Sequence, residues 1–322
     1  MEYVLTFGGL IISSYFYIKL AKKYNIVDIP NERSSHSNKT IRGGGIIFPI
    51  SILIWFLFSE FPLPLFFAGL AIISVISFMD DLSPISTRSR FIFHLGALLL
   101  LFSQLQVFEL PWWSWIPILI ISAGIINAYN FMDGINGITG GYSIAVLTGL
   151  WIVNNYQVRF IDNDLIYFLV LPLVIFNYLN FRQRAICFAG DVGSISIAYV
   201  MVFLLAKLIF HSGNLLYILF LALYGVDTVF TLINRIIGRE NIFKAHRKHL
   251  YQLLANELKI SQIKIAVIYS LLQLCICLII ILISDRYVSI ESGIIAGFTI
   301  LSLMALAFHF IKFHIKEKII NI

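Results

Sequence analysis

The chain has 322 residues, of which 59% are hydrophobic and only 12% are charged. Because soluble domains carry about twice this charged fraction, the composition excludes a soluble globular protein and indicates one that crosses a membrane repeatedly. The formal net charge of +6 is confined to short segments between apolar runs. We therefore attribute this charge to membrane orientation and expect no nucleic-acid partner.

Apolar runs predict an all-α, polytopic membrane bundle of about eleven transmembrane helices. Residues 1–21 have no basic segment before the apolar run and no small-x-small cleavage pattern after it, so we interpret them as a retained first span. No loop is long enough to fold separately, which predicts one integral membrane domain over residues 1–322. The predicted spans are residues 3–21, 43–59, 64–79, 91–108, 112–130, 138–156, 164–181, 194–211, 215–235, 264–284 and 290–311.

Lysine and arginine are distributed very unequally between alternate loops. Twenty of them fall on one side, whereas Arg159, Lys207 and Arg286 fall on the other. The positive-inside rule makes the first side cytoplasmic, and an odd number of spans then places the N-terminus outside and the C-terminus in the cytoplasm. Five loops on this cytoplasmic side also hold nearly all the polar side chains that could carry chemistry.

Paired aspartates end the third predicted span, in the segment "FMDDLSPISTRSRF". Asp80 and Asp81 repel each other, and at a helix C-terminus they also oppose the helix dipole. They could be a solvated helix end, or a structural pair held by Arg88 and Arg90. The functional alternative is a cation or proton site.

Asp191 lies between two glycines in the segment "FAGDVGS", directly before an apolar run. One interpretation is a helix N-cap. The other is a metal ligand at a helix N-terminus, where free N–H groups face an anion and the glycines let the backbone approach a ligand closely. The motif alone does not decide between them.

The segment "NAYNFMDGINGITG" places amides and a carboxylate at the end of the fifth predicted span. Asn127 and Asn130 are three residues apart and share a helix face. Polar residues at this depth are costly unless they face a cavity or a partner, and interhelical hydrogen bonding is the alternative. Asp133 and Asn136 each precede a glycine, and this repeat predicts a turn that directs oxygens and N–H groups at one ligand.

Histidines and cations combine in two further loops. In "KAHRKHLYQ", clustered cations and the lack of a nearby carboxylate disfavour zinc, so His246, Arg247 and His249 suit a phosphate better. A loop that obeys the positive-inside rule would explain the cations but not the histidines. In "PNERSSHSNKTIRGGG", His36 and Arg42 belong either to a flexible basic loop or to a lip that closes on a polyanion.

The combined motifs predict phosphoryl transfer. Carboxylates and amides suit Mg²⁺ bound together with phosphates, and catalysis of this type is mainly positioning and charge neutralisation. A secondary transporter of an anionic solute is the main alternative, but transporters place ionisable groups near the membrane midplane, often within inverted repeats. Here the acids lie at helix ends and no repeat is evident. A scaffold without catalysis would not require five polar motifs on one face.

The five motifs, in this order from about residue 28 to 252, resemble those of the polyprenyl-phosphate N-acetylhexosamine-1-phosphate transferases (glycosyltransferase family 4). This family includes phospho-N-acetylmuramoyl-pentapeptide transferase and the bacterial enzymes that initiate O-antigen. The resemblance implies Mg²⁺-dependent transfer, with Mn²⁺ as an alternative, of an N-acetylhexosamine-1-phosphate from a UDP-sugar to undecaprenyl phosphate, with release of UMP. It also implies the bacterial cytoplasmic (inner) membrane, a role in lipopolysaccharide or cell wall biosynthesis, and a homodimer as one assembly.

The resemblance further implies roles for individual residues. Asp80, Asp81 and Asp191 would be catalytic, with the adjacent pair near the lipid phosphate, and Asn130 and Asp191 would hold the metal. Asn136 would contact the uracil, Phe188 would pack near the base, and the 246–249 segment would face the sugar or the diphosphate. The substrate-binding residues would be His36, Arg42, Arg90, Asn127, Asn130, Asp133, Asn136, Phe188, His246, Arg247 and His249.

Two departures from the family pattern matter. Arg90 stands where many members have a lysine, and these two cations are not equivalent at a phosphate. The last loop reads "HRKH" instead of the three consecutive histidines of the muramoyl-pentapeptide enzyme. This difference argues against a peptidoglycan precursor and for a simpler UDP-N-acetylhexosamine.

Overall fold

The computed structural model describes residues 1–30, 35–241, 244, 246–284 and 290–320. These residues form a bundle of α-helices joined by short turns. The helices are α1 (Glu2–Lys23), α2 (Ile47–Phe58), α3 (Pro64–Leu82), α4 (Thr87–Gln104), α5 (Trp112–Met132), α6 (Ile138–Tyr156), α7 (Asn163–Asn180), α8 (Gly190–Ser212), α9 (Ala222–Ile237), α10 (Leu250–Asn256), α11 (Gln262–Ser284) and α12 (Ile290–Ile320). Short 3-10 helices precede α2 at Gly44–Ile46, α5 at Val107–Glu109 and α9 at Leu215–Leu221.

Each predicted span coincides with one helix longer than ten residues, and α10 is an additional short helix in the loop between α9 and α11. Eight helical segments among the described residues are long and apolar enough to cross a membrane. The protein is therefore an all-α, multi-pass membrane protein. The count of eleven stays a prediction, because α2, α4 and α6 are not among those eight segments.

Helix α8 lies at the centre of the bundle. In its most apolar window, 83% of the residues are buried, and it packs against α2, α3 and α5. A helix that is hydrophobic all round is expected to be enclosed by other helices. Asp191 lies in the first turn of α8. It is therefore held at the end of the most deeply buried of the eight apolar segments.

A small hairpin joins the loop between α1 and α2 to the loop between α7 and α8. Strands β1 (Val27–Asp28) and β2 (Thr40–Ile41) pair antiparallel, and Ile41 forms a parallel bridge with Cys187. The N–H of Phe188 donates to the carbonyl of Ile41 at 2.8 Å. The all-α prediction did not include this hairpin, which brings two loops together that are far apart in the sequence.

Two glycines explain how closely the first loop approaches α8. A Cβ atom on Gly45 would lie 2.3 Å from the Cα of Gly193, so the two backbones are in direct contact. We had expected the glycines around Asp191 to admit a ligand. The structure shows instead that Gly193 admits another segment of the chain.

Candidate active site

A cavity of about 270 Å³ opens at the end of the bundle where the five predicted cytoplasmic loops meet. Four of these loops contribute residues to its wall. The remaining loop, the second in chain order, carries Asp80 and Asp81 and contacts the cavity residues through ion pairs described below. The lining residues are Asp28, Ser35, His36, Arg42, Asn130, Asp133, Gly134, Ile135, Asn136, Asn180, Phe188, Gly190, Asp191, Gln252 and Gln262. Separate loops therefore line one cavity, as the sequence-based prediction of a shared site requires.

Asp191 is the carboxylate on which three loops converge. Its Oδ1 accepts hydrogen bonds from Nη2 of Arg42 and Nδ2 of Asn130, each at 3.1 Å. Nη1 of Arg90 lies 3.5 Å from its Oδ2. The side chain is 15% exposed and lines the cavity, so Asp191 can contact both the ion-pair cluster and a bound ligand.

Asp81 is fully buried and caps a helix to which it does not belong. Its two carboxylate oxygens accept the backbone N–H groups of Asp191 at 2.9 Å and Val192 at 3.0 Å. A negative charge at the N-terminus of α8 is stabilised by the helix dipole. Nε of Arg42 approaches Oδ1 of Asp81 at 2.6 Å. The N-cap that we considered for Asp191 is therefore supplied by Asp81 from α3.

Arg42 bridges Asp81 and Asp191 from the first loop. Burial alone would lower the pKa of its guanidinium, but the two carboxylates raise this pKa above its ordinary value. Arg42 therefore stays positively charged at the cavity wall, as the polyanion-binding interpretation of this loop requires.

Asp80 is held separately from Asp81, although the two are adjacent in sequence. Its Oδ2 accepts Nη1 of Arg90 at 2.7 Å, and its Oδ1 accepts the N–H of Ile85 at 2.6 Å. The structural pairing that we considered is confirmed for Arg90, whereas Arg88 is exposed. Because the same Arg90 nitrogen also approaches Asp191, Asp80 and the cavity carboxylate share one cation.

Asp133 lies in the cavity wall and accepts a 2.6 Å hydrogen bond from the hydroxyl of Thr139. Desolvation raises the pKa of Asp133 to about 6, although the Thr139 hydrogen bond acts in the opposite direction. A carboxyl with this pKa changes charge near neutral pH. It can therefore alternate between accepting and donating a hydrogen bond to a ligand.

Asn136 also lines the cavity, but its amide nitrogen is already engaged. Nδ2 donates to the carbonyls of Arg182 at 2.9 Å and Gln183 at 3.2 Å. These bonds tie the turn after α5 to the loop after α7, and the predicted uracil contact would have to use the amide oxygen.

Asn127 is not among the residues that line the cavity. Its Nδ2 donates to the carbonyl of Ala123, one turn earlier in α5, and the side chain is exposed. The prediction that Asn127 and Asn130 both face the cleft is therefore wrong for Asn127. The physical reason is that an isolated amide on an exposed helix face can bond its own backbone.

His36 and Phe188 form one side of the cavity mouth. Their rings meet edge to face with centroids 4.8 Å apart. Nε2 of His36 lies 3.5 Å from Oδ2 of Asp28. Both predicted residues are therefore at the cavity, where Phe188 offers an aromatic surface to a flat ligand.

The basic segment 246–249 does not line this cavity. Arg247 pairs with Glu257 at 2.9 Å, and Nδ1 of His249 lies 3.4 Å from the buried Oδ1 of Asp227. Our argument that no carboxylate is near this segment is thus wrong, because both acids come from other parts of the chain.

His246 does not contribute to the positive charge of this segment. Burial, with a further contribution from His249 and Arg235, lowers the pKa of His246 to about 4. The ring is therefore neutral at neutral pH. The positive charge of this segment comes from its lysine and arginine side chains.

Asn130 and Asp191 are chemically suited to a hard cation. Nδ2 of Asn130 donates to Oδ1 of Asp191 and to the hydroxyl oxygen of Ser194, each at 3.1 Å. The amide oxygen of Asn130 is therefore the atom left to bind a metal. The part of the chain that the structure describes contains no group of three or more His, Cys, Asp or Glu that could hold a metal. Mg²⁺ commonly binds through one or two carboxylates, with phosphates and waters completing its shell, and this donor pair fits that pattern.

Sequence analysis did not identify Gln262 as a cavity residue. Its Oε1 accepts the N–H of Asn136 at 3.0 Å, and its Nε2 donates to the carbonyl of Ser35. It therefore connects the first loop to the turn that follows α5. No local pattern marks a single glutamine at the start of an apolar helix.

Comparison with known proteins shows which family this chain resembles. The model of glycosyl transferase family 4 matches residues 63–209. A probable undecaprenyl-phosphate N-acetylglucosaminyl 1-phosphate transferase of Bacillus subtilis is 26% identical over 259 residues, or 72% of this chain and 70% of the relative. The undecaprenyl-phosphate alpha-N-acetylglucosaminyl 1-phosphate transferase of Thermotoga maritima is 26% identical over 266 residues, or 78% of this chain and 81% of the relative.

A third relative matches over a shorter part. The undecaprenyl-phosphate alpha-N-acetylglucosaminyl 1-phosphate transferase of Escherichia coli K12 is 26% identical over 214 residues, which is 60% of this chain and 58% of the relative. The matched residues 63–209 include Asp80, Asn130 and Asp191, which are also the residues that the structure brings together. Over these residues the chain resembles glycosyl transferase family 4.

Proposed function

We propose that the protein transfers an N-acetylhexosamine-1-phosphate from a UDP-sugar to undecaprenyl phosphate and releases UMP. An oxygen of the lipid phosphate attacks the β-phosphorus of the UDP-sugar, and the bond from that phosphorus to the oxygen of UMP breaks. One pyrophosphate linkage replaces another, so the step is expected to be reversible. The relatives are named for this acceptor, undecaprenyl phosphate, and for the transfer of an N-acetylglucosaminyl 1-phosphate group.

The observation that supports the proposal best is the cluster around Asp191. Asp80 and Asp81 come from α3, Asn130 from α5 and Arg42 from the first loop, and all of them meet at the N-terminus of α8. Arg42 and Arg90 offer two cations to phosphate groups, within hydrogen-bonding distance of carboxylates that keep them in place. Fixed charges of this kind stabilise charge that develops in the transition state.

The cavity separates the two substrates by their chemistry. Phe188, Asp133 and the amide oxygen of Asn136 form the part of the wall that we assign to the nucleoside. Arg42 and Asp191 form the part that we assign to the diphosphate. Arg90 and Asp80 lie where the lipid phosphate would approach from the membrane side, because α3 and α4 carry them at their adjoining ends.

Asn130 and Asp191 would hold Mg²⁺ through their side-chain oxygens. When bound, Mg²⁺ neutralises the diphosphate and makes its phosphorus easier to attack. We include Mg²⁺ dependence in the proposal, with Mn²⁺ as an alternative ion.

The proposal also includes a location and an orientation. The chain would reside in the bacterial cytoplasmic membrane as eleven spans, with the N-terminus outside and the cavity facing the cytoplasm, where UDP-sugars are made. The product would initiate a cell-surface glycan such as O-antigen, and the family resemblance suggests a homodimer.

The test is UMP release by purified protein with UDP-N-acetylglucosamine, undecaprenyl phosphate and Mg²⁺. Asp191→Asn and Asp80→Asn should each reduce turnover by roughly 100-fold or more, because Asp191 is the proposed metal ligand and Asp80 holds Arg90 in place for the phosphate. Asp162→Asn, at the exposed N-cap of α7, is the matched control and should keep full turnover.

Near-normal UMP release by both cluster variants in folded protein would refute the proposal. Wild-type protein that releases no UMP, but moves an anionic solute across proteoliposomes, would favour the transporter instead.

A further inference from the structure

A buried ion pair lies outside the cavity, between α9 and the last helix. Asp227 of α9 is fully buried, and Lys312 of α12 is 6% exposed. Nζ of Lys312 lies 3.6 Å from Oδ1 of Asp227 and donates to Oγ1 of Thr231 at 2.6 Å. Charged groups within membrane helices are costly even when they are paired. We therefore expect this pair to have a role in the site.

Asp227 caps α10 in the same way that Asp81 caps α8. Its two carboxylate oxygens accept the N–H of Leu250 at 3.0 and 3.1 Å, and the hydroxyl of Tyr269 donates to it at 3.1 Å. Nδ1 of His249 is 3.4 Å away. One carboxylate therefore fixes both the beginning of α10 and the histidine before it.

Helix α10 forms part of the cavity wall. Gln252 lines the cavity, and the hydroxyl of Tyr251 donates to the carbonyl of Phe131 at 2.8 Å. Phe131 is the neighbour of Asn130. A displacement of α10 would therefore move one wall of the cavity and disturb the backbone beside the proposed metal ligand.

Lys312 also reaches the basic segment directly. Its Nζ donates to the carbonyl of Lys248 at 3.2 Å. Only 6% of the apolar window of α12 is buried, and Lys312 is one of the few buried side chains in the described part of this helix, together with Phe308 and Ile315.

We propose that Lys312 and Asp227 are positioning residues through which the last helix holds α10 and His249 against the cavity. Lys312 neutralises Asp227, and Asp227 in turn orients the N-terminus of α10. The inference rests on the proposed function, because it assigns the pair to the binding of the UDP-sugar. It extends the site to α9 and α12, which lie outside the segment matched by the family model.

A double-mutant cycle tests the proposal. Lys312→Met removes the cation beside the buried carboxylate of Asp227, and Asp227→Asn removes the anion beside the buried ammonium of Lys312. The combined variant removes both charges, while the asparagine oxygen still accepts the N–H of Leu250. Lys264→Met, an exposed lysine at the start of α11, is the matched control. UMP release gives kcat and KM for the UDP-sugar, and thermal unfolding reports stability.

Each single variant should raise KM for the UDP-sugar by roughly tenfold or more, because small displacements of positioning groups have large effects. The combined variant should recover most of the wild-type KM, and Lys264→Met should match wild type. Lys312→Arg keeps the charge and should also retain a KM near that of wild type. Trypsin should cleave at Arg247 and Lys248 faster in Lys312→Met than in the combined variant.

Three results would overturn the inference. In the first, Lys312→Met loses thermal stability but keeps its KM, which indicates a structural role alone. In the second, the combined variant folds but stays as impaired as the single ones. In the third, Lys312→Met cannot be purified, and Lys312→Arg folds with a raised KM. If wild-type protein releases no UMP, the proposed function fails, and the trypsin comparison still tests whether the pair holds the segment.

Discussion

Asp80 and Asp81 are neighbours in the sequence, yet their carboxylates face different partners. Asp81 accepts two backbone N–H groups at the N-terminus of α8 and pairs with Arg42. Asp80 pairs with Arg90, which also approaches Asp191. Consecutive helix positions point in directions about 100° apart, which explains the separation. We therefore expect Asp80 to act on substrate and Asp81 to hold the architecture of the site.

The pKa of Asp133 predicts how the affinity for the UDP-sugar depends on pH. Its pKa is raised to about 6, so the carboxyl is neutral below that pH and ionised above it. An ionised carboxylate accepts hydrogen bonds from a nucleoside better than a carboxylic acid does. KM for the UDP-sugar should therefore rise as the pH is lowered through about 6, which steady-state assays of UMP release can measure.

The variant Asp133→Asn supplies the control, because its amide does not titrate. Its KM should stay nearly constant over the same pH range, and a pH profile identical to that of wild type would contradict the assignment. The stability of the fold depends on pH in the opposite direction to substrate binding. Because the folded state raises the pKa of Asp133, this carboxyl stabilises the fold at acidic pH, and that contribution is lost as the pH rises through about 6.

At the level of elements, α8 is positioned by close backbone contact with the first loop. A Cβ on Gly45 would lie 2.3 Å from Cα of Gly193 and 2.9 Å from the carbonyl oxygen of Ala189. Neither partner is a flexible side chain, so one element must move. Gly45→Ala should reduce the free energy of unfolding by about 1–3 kcal/mol, seen as a lower Tm, and should reduce turnover because Asp191 moves with α8.

Gly96→Ala is the matched control within α4. No described atom lies within 4 Å of the Cβ that this change would add, and alanine favours a helix over glycine by about 1 kcal/mol. Its Tm should be unchanged or slightly higher. A Tm for Gly45→Ala equal to that of Gly96→Ala would show that the first loop and α8 do not depend on this contact.

For the whole molecule, the proposed orientation makes one side accessible from outside the cell. In intact cells, a membrane-impermeant maleimide should label cysteines placed at Glu60 and Glu109, which are exposed at the end of the bundle opposite the cavity. It should label Arg184→Cys only after permeabilisation, because Arg184 lies in the loop between α7 and α8. The unsubstituted chain controls for Cys187, Cys275 and Cys277.

Labelling of Arg184→Cys in intact cells would indicate the opposite orientation, with this loop outside the cell. The cavity would then face away from the cytoplasmic pool of UDP-sugars, and the proposed function would lose its substrate supply.

The sequence was most informative about the helices and about which loops carry the site. The apolar runs marked every long helix, because a membrane helix must bury its backbone within about 20 consecutive apolar residues. Asp191, Asn130 and Arg42 were recognisable because charged and amide groups at helix ends are costly without a function. The isolated Asp227 inside an apolar run was an equally strong signal that sequence analysis overlooked.

The sequence by itself determined that this protein is a multi-pass helical bundle that resembles glycosyl transferase family 4, with polar motifs gathered in five loops. Only the tertiary structure decided what these polar side chains contact: Asp81 caps α8, Asn136 bonds to the loop after α7, Asn127 faces away from the cavity, and Lys312 reaches Asp227. The physical reason is that hydropathy is a property of local sequence. Ion pairs and caps such as that between Asp81 and Asp191, 110 residues apart, depend on packing, which places distant segments in contact.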